Sequence, residues 1–174
     1  MEIFEGLLFE SFTEGDIDII TPIMKRAFDE DIRRHTDCLY GGPDGYDNGD
    51  FLRKWYINSG FIAYKVSKDD NPIGAFNVWI NDNNINYLGN IFVDADYQDK
   101  GIGTIIWRFI GTKFPDTVKW CAETPAYSRR NHNFYINKCG FKVVKIGNPM
   151  KRSGGQFIME KLIEKVEKNN AFME

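Results

Sequence analysis

The sequence predicts a mixed α+β domain with a central, mostly antiparallel sheet, and three observations lead to that prediction. Short apolar runs separated by turn residues indicate successive strands. Longer stretches with helical spacing of apolar residues interrupt them. The chain has 174 residues, of which 43% are apolar and 15% aromatic. We therefore expect a single globular domain over residues 1–174, with a sizeable core.

The first third of the chain begins with a strand and a helix. Residues 7–12 form an apolar run typical of a strand. Thr13 to Asp16 resembles a helix start, and an apolar stripe follows it. The stripe consists of Ile17, Ile20, Met24, Ala27 and Phe28. Residues 29–60 are the least regular segment, with a turn cluster and a short helix candidate at 50–57.

Three strands are predicted next, over residues 61–66, 73–80 and 85–93. Asp-Asp-Asn-Pro separates the first two, and Asn-Asp-Asn-Asn separates the second from the third. Both separators have the composition of turns, so we expect an antiparallel meander.

The last third alternates helices and strands. Apolar residues at helical spacing predict an amphipathic helix directly after the meander, from about Ile102 to Ile110. The charged segment after Leu162 is expected to be helical or frayed. The remaining predicted elements are a strand at 118–122, a helix at 127–139 that Gly140 ends, and strands at 141–146 and 156–161.

Composition argues against several classes of function. The net charge is only −3 and the basic residues are scattered, so nucleic-acid and membrane-surface binding have little support. No apolar run has transmembrane length and no signal core is present, so we expect a cytoplasmic protein. Cys38, Cys121 and Cys139 form no metal or disulfide pattern. Only His35 and His132 could serve a cysteine nucleophile, which disfavours such chemistry.

The most informative segment joins the third meander strand to the following helix. The apolar run of residues 91–93 ends in polar residues, and Gly101 and Gly103 precede the helix. Free backbone N–H groups and the helix dipole make such a helix start a phosphate site. The simpler alternative is that the two glycines only shape a tight turn.

Two common phosphate motifs do not match this segment. A Walker A loop requires Lys and Ser/Thr after the second glycine, whereas Thr104 and Ile105 follow Gly103. A dinucleotide fingerprint requires a third glycine where Ile106 stands. Glu123 does lie at the distance of its ribose-binding acid, but an antiparallel meander is the wrong context for that motif.

The segment instead resembles the acetyl-CoA signature of the GCN5-related N-acetyltransferases (GNAT family). The matching residues are Val93-x-x-x-x-Gln98-x-x-Gly101-Ile102-Gly103. Asn131-x-x-Phe134-Tyr135 and Lys138-Cys139-Gly140-Phe141 are similar to the family's second cofactor motif, and Met159-Glu160-Lys161 to its last strand. The resemblance covers residues 7–161 and implies a GNAT-like α/β/α domain. Its sheet would have six to seven strands and about four flanking helices.

The sequence departs from the family pattern at three places. Ala95 replaces the usual proline. Asp99 puts a carboxylate in the phosphate loop, where it must point outward to avoid repelling a pyrophosphate. Gly140 lies five positions after Tyr135 instead of four, which puts Ile136 in the position expected of the tyrosine.

The resemblance implies acetyl-CoA as the cofactor and assigns its contacts. The backbone N–H groups of Gln98, Asp99, Lys100, Gly101, Ile102, Gly103 and Thr104 would hold the pyrophosphate, with Lys100 as an added charge. Ile91 and Val93 would bind the pantetheine arm, and a backbone N–H of Phe92 or Val93 would polarise the thioester carbonyl. Asn131 would bind the pantetheine arm or the nearby phosphate region, or would simply cap its helix.

The resemblance also suggests the proton-transfer groups. The strand before Val93 carries no acidic residue, so the family's commonest base position is empty. Glu123 is the substitute candidate for the general base, unless it is only a solvated strand end. Tyr135 is the candidate acid for the leaving thiolate, unless it is an ordinary core aromatic beside Phe134.

The acceptor is expected to be a small-molecule or peptide amine. Acidic residues are frequent between Asp29 and Asp50, where the family builds its acceptor wall, so a small cationic amine would fit, although a solvated loop is an equal explanation. His35 is a further base candidate in that wall. The leading hypothesis is acetyl transfer to a primary amine by direct attack in a ternary complex. The alternatives are a non-catalytic acyl-CoA-binding or regulatory module and, for assembly, a homodimer.

Overall fold

The computed structural model describes residues 1–164, so the expectation for the charged tail falls outside the described residues. One sheet of eight strands runs through this part of the chain, in the order β1-β2-β3-β4-β5-β6-β8-β7. Its strands are β1 (Glu2–Phe4), β2 (Leu7–Ser11), β3 (Ile62–Lys68), β4 (Asn71–Trp79), β5 (Ile85–Val93), β6 (Lys119–Pro125), β7 (Lys142–Gly147) and β8 (Gln156–Leu162). Within residues 1–164, only β5 and β6 pair in parallel. The predicted α+β class and mostly antiparallel sheet are confirmed.

Strand β1 is the strand that the sequence did not predict. It pairs with β2 through a two-residue turn, in which Glu5 has φ 45° and Gly6 has φ 79°. Positive φ at both positions is the geometry that lets a short turn follow the twist of a hairpin. A three-residue strand is too short to give a periodic signal, although two of its residues, Ile3 and Phe4, are apolar.

Four helices accompany the sheet in the part of the chain that the structure describes, as predicted. They are α1 (Ile17–His35), α2 (Asp50–Leu52), α3 (Ile102–Lys113) and α4 (Arg129–His132). Helices α2 and α4 continue as π-helical turns over Arg53–Ile57 and Asn133–Lys138. Helix α1 extends into the segment that looked irregular, because pairs four residues apart, Lys25–Asp29 and Glu30–Arg34, stabilise its polar end.

The two faces of the sheet bury separate cores. Helix α3 places Ile106 and Ile110 on one face, where they join a cluster that includes Phe76. Helix α1 places Ile20 and Met24 on the other face, and the side chain of Phe92 also points there. Within residues 1–164, no helix combines the length and the apolar character required to cross a bilayer.

Candidate functional site

The loop between β5 and α3 presents a run of backbone donors. Gly101 caps α3 with φ 78°, and its carbonyl accepts from the N–H groups of Thr104 and Ile105 at 3.1 and 3.2 Å. In the described part of the chain, nothing accepts a hydrogen bond from the backbone N–H groups of residues 99–103. These donors lie at the positive end of the α3 dipole, which is the arrangement that binds phosphate groups.

Gly103 has a packing reason as well. A Cβ atom at this position would lie 3.0 Å from Cε2 of Phe134, on the π-helical turn that follows α4. The missing side chain therefore lets the start of α3 approach that turn closely. The two segments that resemble cofactor motifs are thus in direct contact.

Strands β5 and β6 separate next to this loop. Their parallel ladder covers only Ile85 to Leu88 of β5, although β5 stays paired with β4 as far as Val93. The N–H of Asp94 donates to the carbonyl of Ile73 at 2.7 Å. Because an antiparallel ladder alternates, the N–H groups of Ile91 and Val93 point away from β4, into the opening.

A cavity of about 180 Å³ lies between the loop, the opened strands, α1 and the turn after α4. Most of the residues predicted for the site line it. They are Ile91, Phe92, Val93, Gln98, Asp99, Gly101, Ile102, Gly103, Thr104, Asn131 and Tyr135. Lys100 and Glu123 do not. The Lys100 ammonium instead donates to the carbonyl of Asp96 at 2.8 Å, so it turns back onto its own loop.

The π-helical turn accounts for the extra residue between Tyr135 and Gly140. The N–H of Cys139 donates to the carbonyl of Phe134, five residues earlier, at 3.0 Å. Such a turn accommodates one residue more than an α-helical turn, so Tyr135 still faces the cavity. Both Tyr135 and Ile136 contact the α3-side core, but Ile136, which occupies the expected register, does not line the cavity.

The Tyr135 side chain is 6% exposed, and none of the described residues hydrogen-bonds to its hydroxyl. Burial raises the pKa of Tyr135 well above its usual value, so the phenol stays protonated near neutral pH. Asn131 has no side-chain partner within residues 1–164 either. Ser128 caps α4 by accepting from the Asn131 N–H, so the capping role considered for Asn131 is not observed.

Ion pairs from α1 hold the ends of the phosphate loop. Arg26 binds Asp94 through two hydrogen bonds of 3.0 and 2.6 Å. Arg34 pairs with the carboxylate of Asp99 at 3.1 Å, and the Asp99 side chain is 64% exposed. Asp99 thus has its outward carboxylate neutralised by an arginine, as a pyrophosphate site requires.

A buried polar cluster beside the loop was missed by the sequence analysis. Asp31 accepts from the Ser128 hydroxyl at 2.8 Å and from Arg130 at 3.4 Å, and Arg130 also donates to Gln98. The Arg130 guanidinium lines the cavity, and burial lowers its pKa. The only signal was the pair Arg129-Arg130 directly before Asn131, and no local pattern connects Asp31 to it.

The same cluster holds His35 in hydrogen bonds, so His35 is not available as a general base. Its Nε2 accepts from the Arg130 N–H at 3.3 Å, and its Nδ1 lies 2.9 Å from the carbonyl of Asp31. The ring is therefore fixed in position, with 7% of its side chain exposed. The acidic wall is also less available than expected. Asp29 pairs with Lys25, and Glu30 pairs with Arg33 and Arg34.

Glu123 lies outside the cavity, at the edge of the strand opening. It follows Ala122, the last β6 residue in register with β5. Its side chain points to the sheet face that carries Tyr87 and Cys121, because those two residues are Cα partners and Glu123 is two residues beyond Cys121. It is exposed and forms no ion pair with the described residues.

Comparison with known proteins agrees with this geometry. The family model described as the acetyltransferase (GNAT) family matches residues 25–141. A Bacillus subtilis protein, the uncharacterized protein YrkN, is 33% identical over 144 residues, which cover 82% of this chain and 76% of that protein.

Two solved structures show the same fold. The ribosomal-protein-S18-alanine N-acetyltransferase of Escherichia coli superposes with a TM-score of 0.69 at 16% identity, over 95% of this chain and 99% of that one. The PaiA N-acetyltransferase of Thermoplasma acidophilum, solved with coenzyme A, gives 0.67 at 18% identity, over 90% and 99%. The predicted N-acetyltransferase class and acetyl-CoA as its donor are confirmed by the family match, and the chain belongs to the acetyltransferase (GNAT) family.

Proposed function

We propose that residues 1–174 form a single acyl-CoA N-acyltransferase domain, which transfers an acetyl group from acetyl-CoA to a primary amine by direct attack in a ternary complex. One observation carries this proposal. The N–H groups at the start of α3, for which residues 1–164 supply no acceptor, open onto a cavity that reaches the separated strands. A phosphate cradle therefore adjoins a free strand edge, which suits a long ligand with a diphosphate and an amide-rich arm.

The residues of the cavity fit that ligand. The N–H groups of residues 99–103 would hold the diphosphate, and the Arg130 guanidinium would add a positive charge. The backbone of Ile91 and Val93 would pair with the pantetheine arm as a neighbouring strand does. Asn131, whose amide has no other described partner, would bind the same arm.

The reaction needs a polarised carbonyl and an uncharged amine. Bound acetyl-CoA supplies a thioester, whose carbon–sulfur bond breaks as the carbon–nitrogen bond forms. The alternation of the β4–β5 ladder favours Val93 over Phe92 as the residue that donates its N–H to the carbonyl oxygen. An alkylamine has an ordinary pKa near ~10.4, so a base must take its proton.

We propose Glu123 as that base, because it borders the strand opening from the sheet face opposite the α3 core and has no competing ion pair among the described residues. Tyr135 would supply the other proton. Its phenol is protonated near neutral pH, as an ordinary tyrosine is, and burial raises its pKa further. No partner among residues 1–164 occupies its hydroxyl, which could donate to the departing thiolate sulfur. The proton lost by the amine and the proton gained by the thiol thus have separate carriers.

The test measures acetyl-CoA binding and amine-dependent release of coenzyme A with a panel of primary amines. We expect acetyl-CoA to raise the melting temperature and some amines to release the free thiol. Gly101→Glu should weaken acetyl-CoA binding by roughly tenfold or more. It places a charged side chain at φ 78° in front of the phosphate donors, a backbone conformation that itself costs about 1 kcal/mol.

Gly111→Glu is the matched control. Gly111 lies on the same helix, and a Cβ atom there meets nothing within 4 Å. The control should bind acetyl-CoA as the wild type does. Equal loss of binding in both variants would mean that the loop has no special role. Binding without amine-dependent release would instead favour the non-catalytic acyl-CoA-binding module.

A further inference from the structure

A row of aromatic rings borders the strand opening on the side away from α3. Trp55 follows α2, Phe61 precedes β3, and Trp79 ends β4. The ring centroids of Trp55 and Phe61 are 6.1 Å apart and those of Phe61 and Trp79 are 5.4 Å apart, both with edge-to-face geometry. The two tryptophans are 37% and 38% exposed. This aromatic row is too open to be ordinary core.

The middle of the aromatic row lies over a gap in the sheet. Gly89 occupies a bulge of β5, and a Cβ atom there would be 2.4 Å from Cε1 of Phe61 and 2.7 Å from Oδ1 of Asn77. Gly89 is nevertheless exposed, because β6 has already separated from β5 at this point. Gly89 thus lies between the aromatic row and the strand edge at Ile91.

The Asn77 side chain leaves one atom unsatisfied at this position. Its amide nitrogen donates to the carbonyl of Trp55 at 3.0 Å, and the residue is 2% exposed. Its Oδ1 is buried and no donor from residues 1–164 reaches it. A buried acceptor without a donor is destabilising, so such an atom indicates a partner that the isolated chain does not provide.

The surrounding groups suit a cation. The Lys54 ammonium lies 4.7 Å from the centroid of Trp55, whereas no cation of residues 1–164 lies over Phe61 or Trp79. The Trp79 end of the row is therefore open to a further ammonium group. The Glu123 carboxylate flanks the opening on the same sheet face as Trp79, since Trp79 is the Cα partner of Tyr87 and Tyr87 of Cys121. Ring faces, an amide oxygen and a carboxylate all attract ammonium groups.

We propose that the acceptor is an alkylamine with a second cationic group. Its reacting nitrogen enters beside Gly89, where Asn77 Oδ1 accepts a hydrogen bond from it once the Phe61 ring turns aside. Its distal ammonium lies against the aromatic row. This inference rests on the proposed acetyl transfer for the reaction itself, but the docking of the amine is separable from it.

The experiment compares three five-carbon primary amines whose far ends are an ammonium, a methyl group and a carboxylate. We expect kcat/KM for the diamine to exceed that for the monoamine by about tenfold, and the amino acid to be the poorest acceptor. Trp79→Leu and Trp55→Leu should reduce the diamine to the level of the monoamine. Asn77→Leu should raise KM for all three amines.

Controls separate docking from folding and from cofactor binding. Tyr40→Leu removes an aromatic ring that is 71% exposed and outside the row, and it should change nothing. Each variant should keep the wild-type affinity for acetyl-CoA. Binding of the three amines is also followed by tryptophan fluorescence, which needs no turnover.

The outcomes distinguish this inference from the proposed function. Turnover with equal kcat/KM for the diamine and the monoamine would overturn the inference and leave the acetyl transfer intact. Diamine binding that depends on Trp79, without any release of coenzyme A, would support the docking site and count against the transferase. No binding and no turnover with any of the three amines would reject the docking site.

Discussion

Two π-helical turns each carry a buried tyrosine, one in the core on the α1 side of the sheet and one at the cavity, and the two hydroxyl groups differ. The Tyr56 hydroxyl donates to Asn90 Oδ1 on β5 at 2.9 Å. Tyr135 lies on the other turn and faces the cavity without a described partner. Burial raises the pKa of both phenols, and the neighbouring Tyr135 raises that of Tyr56 further. The two tyrosines are thus similarly buried, but only the Tyr56 hydroxyl has a hydrogen-bond partner within residues 1–164.

The difference extends to the elements around them. On the α1 side, charged groups are paired, as in Arg26–Asp94 and Arg34–Asp99. On the α3 and α4 side, the loop N–H groups, the Asn131 amide and the Tyr135 hydroxyl lack partners within residues 1–164. Paired groups make a rigid wall, whereas unpaired ones are available to a ligand. We therefore expect changes to the paired groups to affect mainly stability and changes to the unpaired groups to affect activity.

Tyr135→Phe should produce the largest effect. Removing a general acid lowers turnover by about 10²-fold or more, while the ring still fills its place between Phe134 and Phe141. The measurement is kcat with the best amine of the panel, together with the affinity for acetyl-CoA, which should stay within about twofold. Unchanged turnover would make Tyr135 a core aromatic and would remove the contrast with Tyr56.

Tyr56→Phe should mainly lower stability. It deletes a buried hydrogen bond to Asn90, which costs about 1–2 kcal/mol of the free energy of unfolding. Urea unfolding measures that loss, and turnover should fall much less than in Tyr135→Phe. A turnover defect as large as that of Tyr135→Phe, without a change in stability, would place Tyr56 in the chemistry and would make the two sides alike.

The sequence predicted the parts of this comparison that depend on local patterns. The donor loop was recognisable because a strand, two glycines and an amphipathic stripe are adjacent in the chain. The cluster of Asp31, Ser128 and Arg130 was not, because its members are brought together only by the packing of α1 against α4. Local patterns carry no information about such contacts.

The position of Tyr135 could be predicted only in part. The sequence motif around it was recognisable, but its spacing to Gly140 suggested that Ile136 occupies the position of the family's tyrosine. The π-helical turn resolves the extra residue, and that turn has no sequence signature of its own. Glu123 was found as the acid after a strand, yet only the end of the β5–β6 ladder puts it beside the opening.

The alkaline stability of the protein provides a test in which the two tyrosines should behave alike. An unfolded phenol ionises near pH ~10, whereas both buried phenols stay protonated above that pH. Unfolding then releases protons, so stability falls as pH rises above ~10, by up to about 1.4 kcal/mol per pH unit for each phenol.

Tyr135→Phe and Tyr56→Phe should each make the free energy of unfolding fall less steeply with pH, because each variant removes one of the two phenols. Urea unfolding between pH ~9 and ~11 measures this slope. Tyr40→Phe is the control, since this side chain is 71% exposed. If the slope of Tyr135→Phe equals that of the wild type, the Tyr135 phenol ionises within the folded protein. Burial would then not have raised its pKa, although the phenol would still be protonated near neutral pH.

Arg34→Gln should have the smallest effect. It tests whether the Arg34–Asp99 ion pair influences acetyl-CoA binding by the phosphate loop. The Arg34–Asp99 pair is exposed, so it contributes less than about 1 kcal/mol to stability. Its loss leaves the Asp99 carboxylate unneutralised beside the phosphate donors. We expect acetyl-CoA affinity to weaken by roughly two- to fivefold at low salt, and less at high salt.

A double-mutant cycle with Asp99→Asn identifies the cause of that weakening. Asp99→Asn alone should bind acetyl-CoA at least as well as the wild type, because it removes the negative charge from the loop. If Arg34 acts by neutralising Asp99, Arg34→Gln should have no further effect in the Asp99→Asn background. An equal loss of affinity in both backgrounds would mean that Arg34 acts on the cofactor independently of Asp99, so that the α1 side would take part in binding as well as in support.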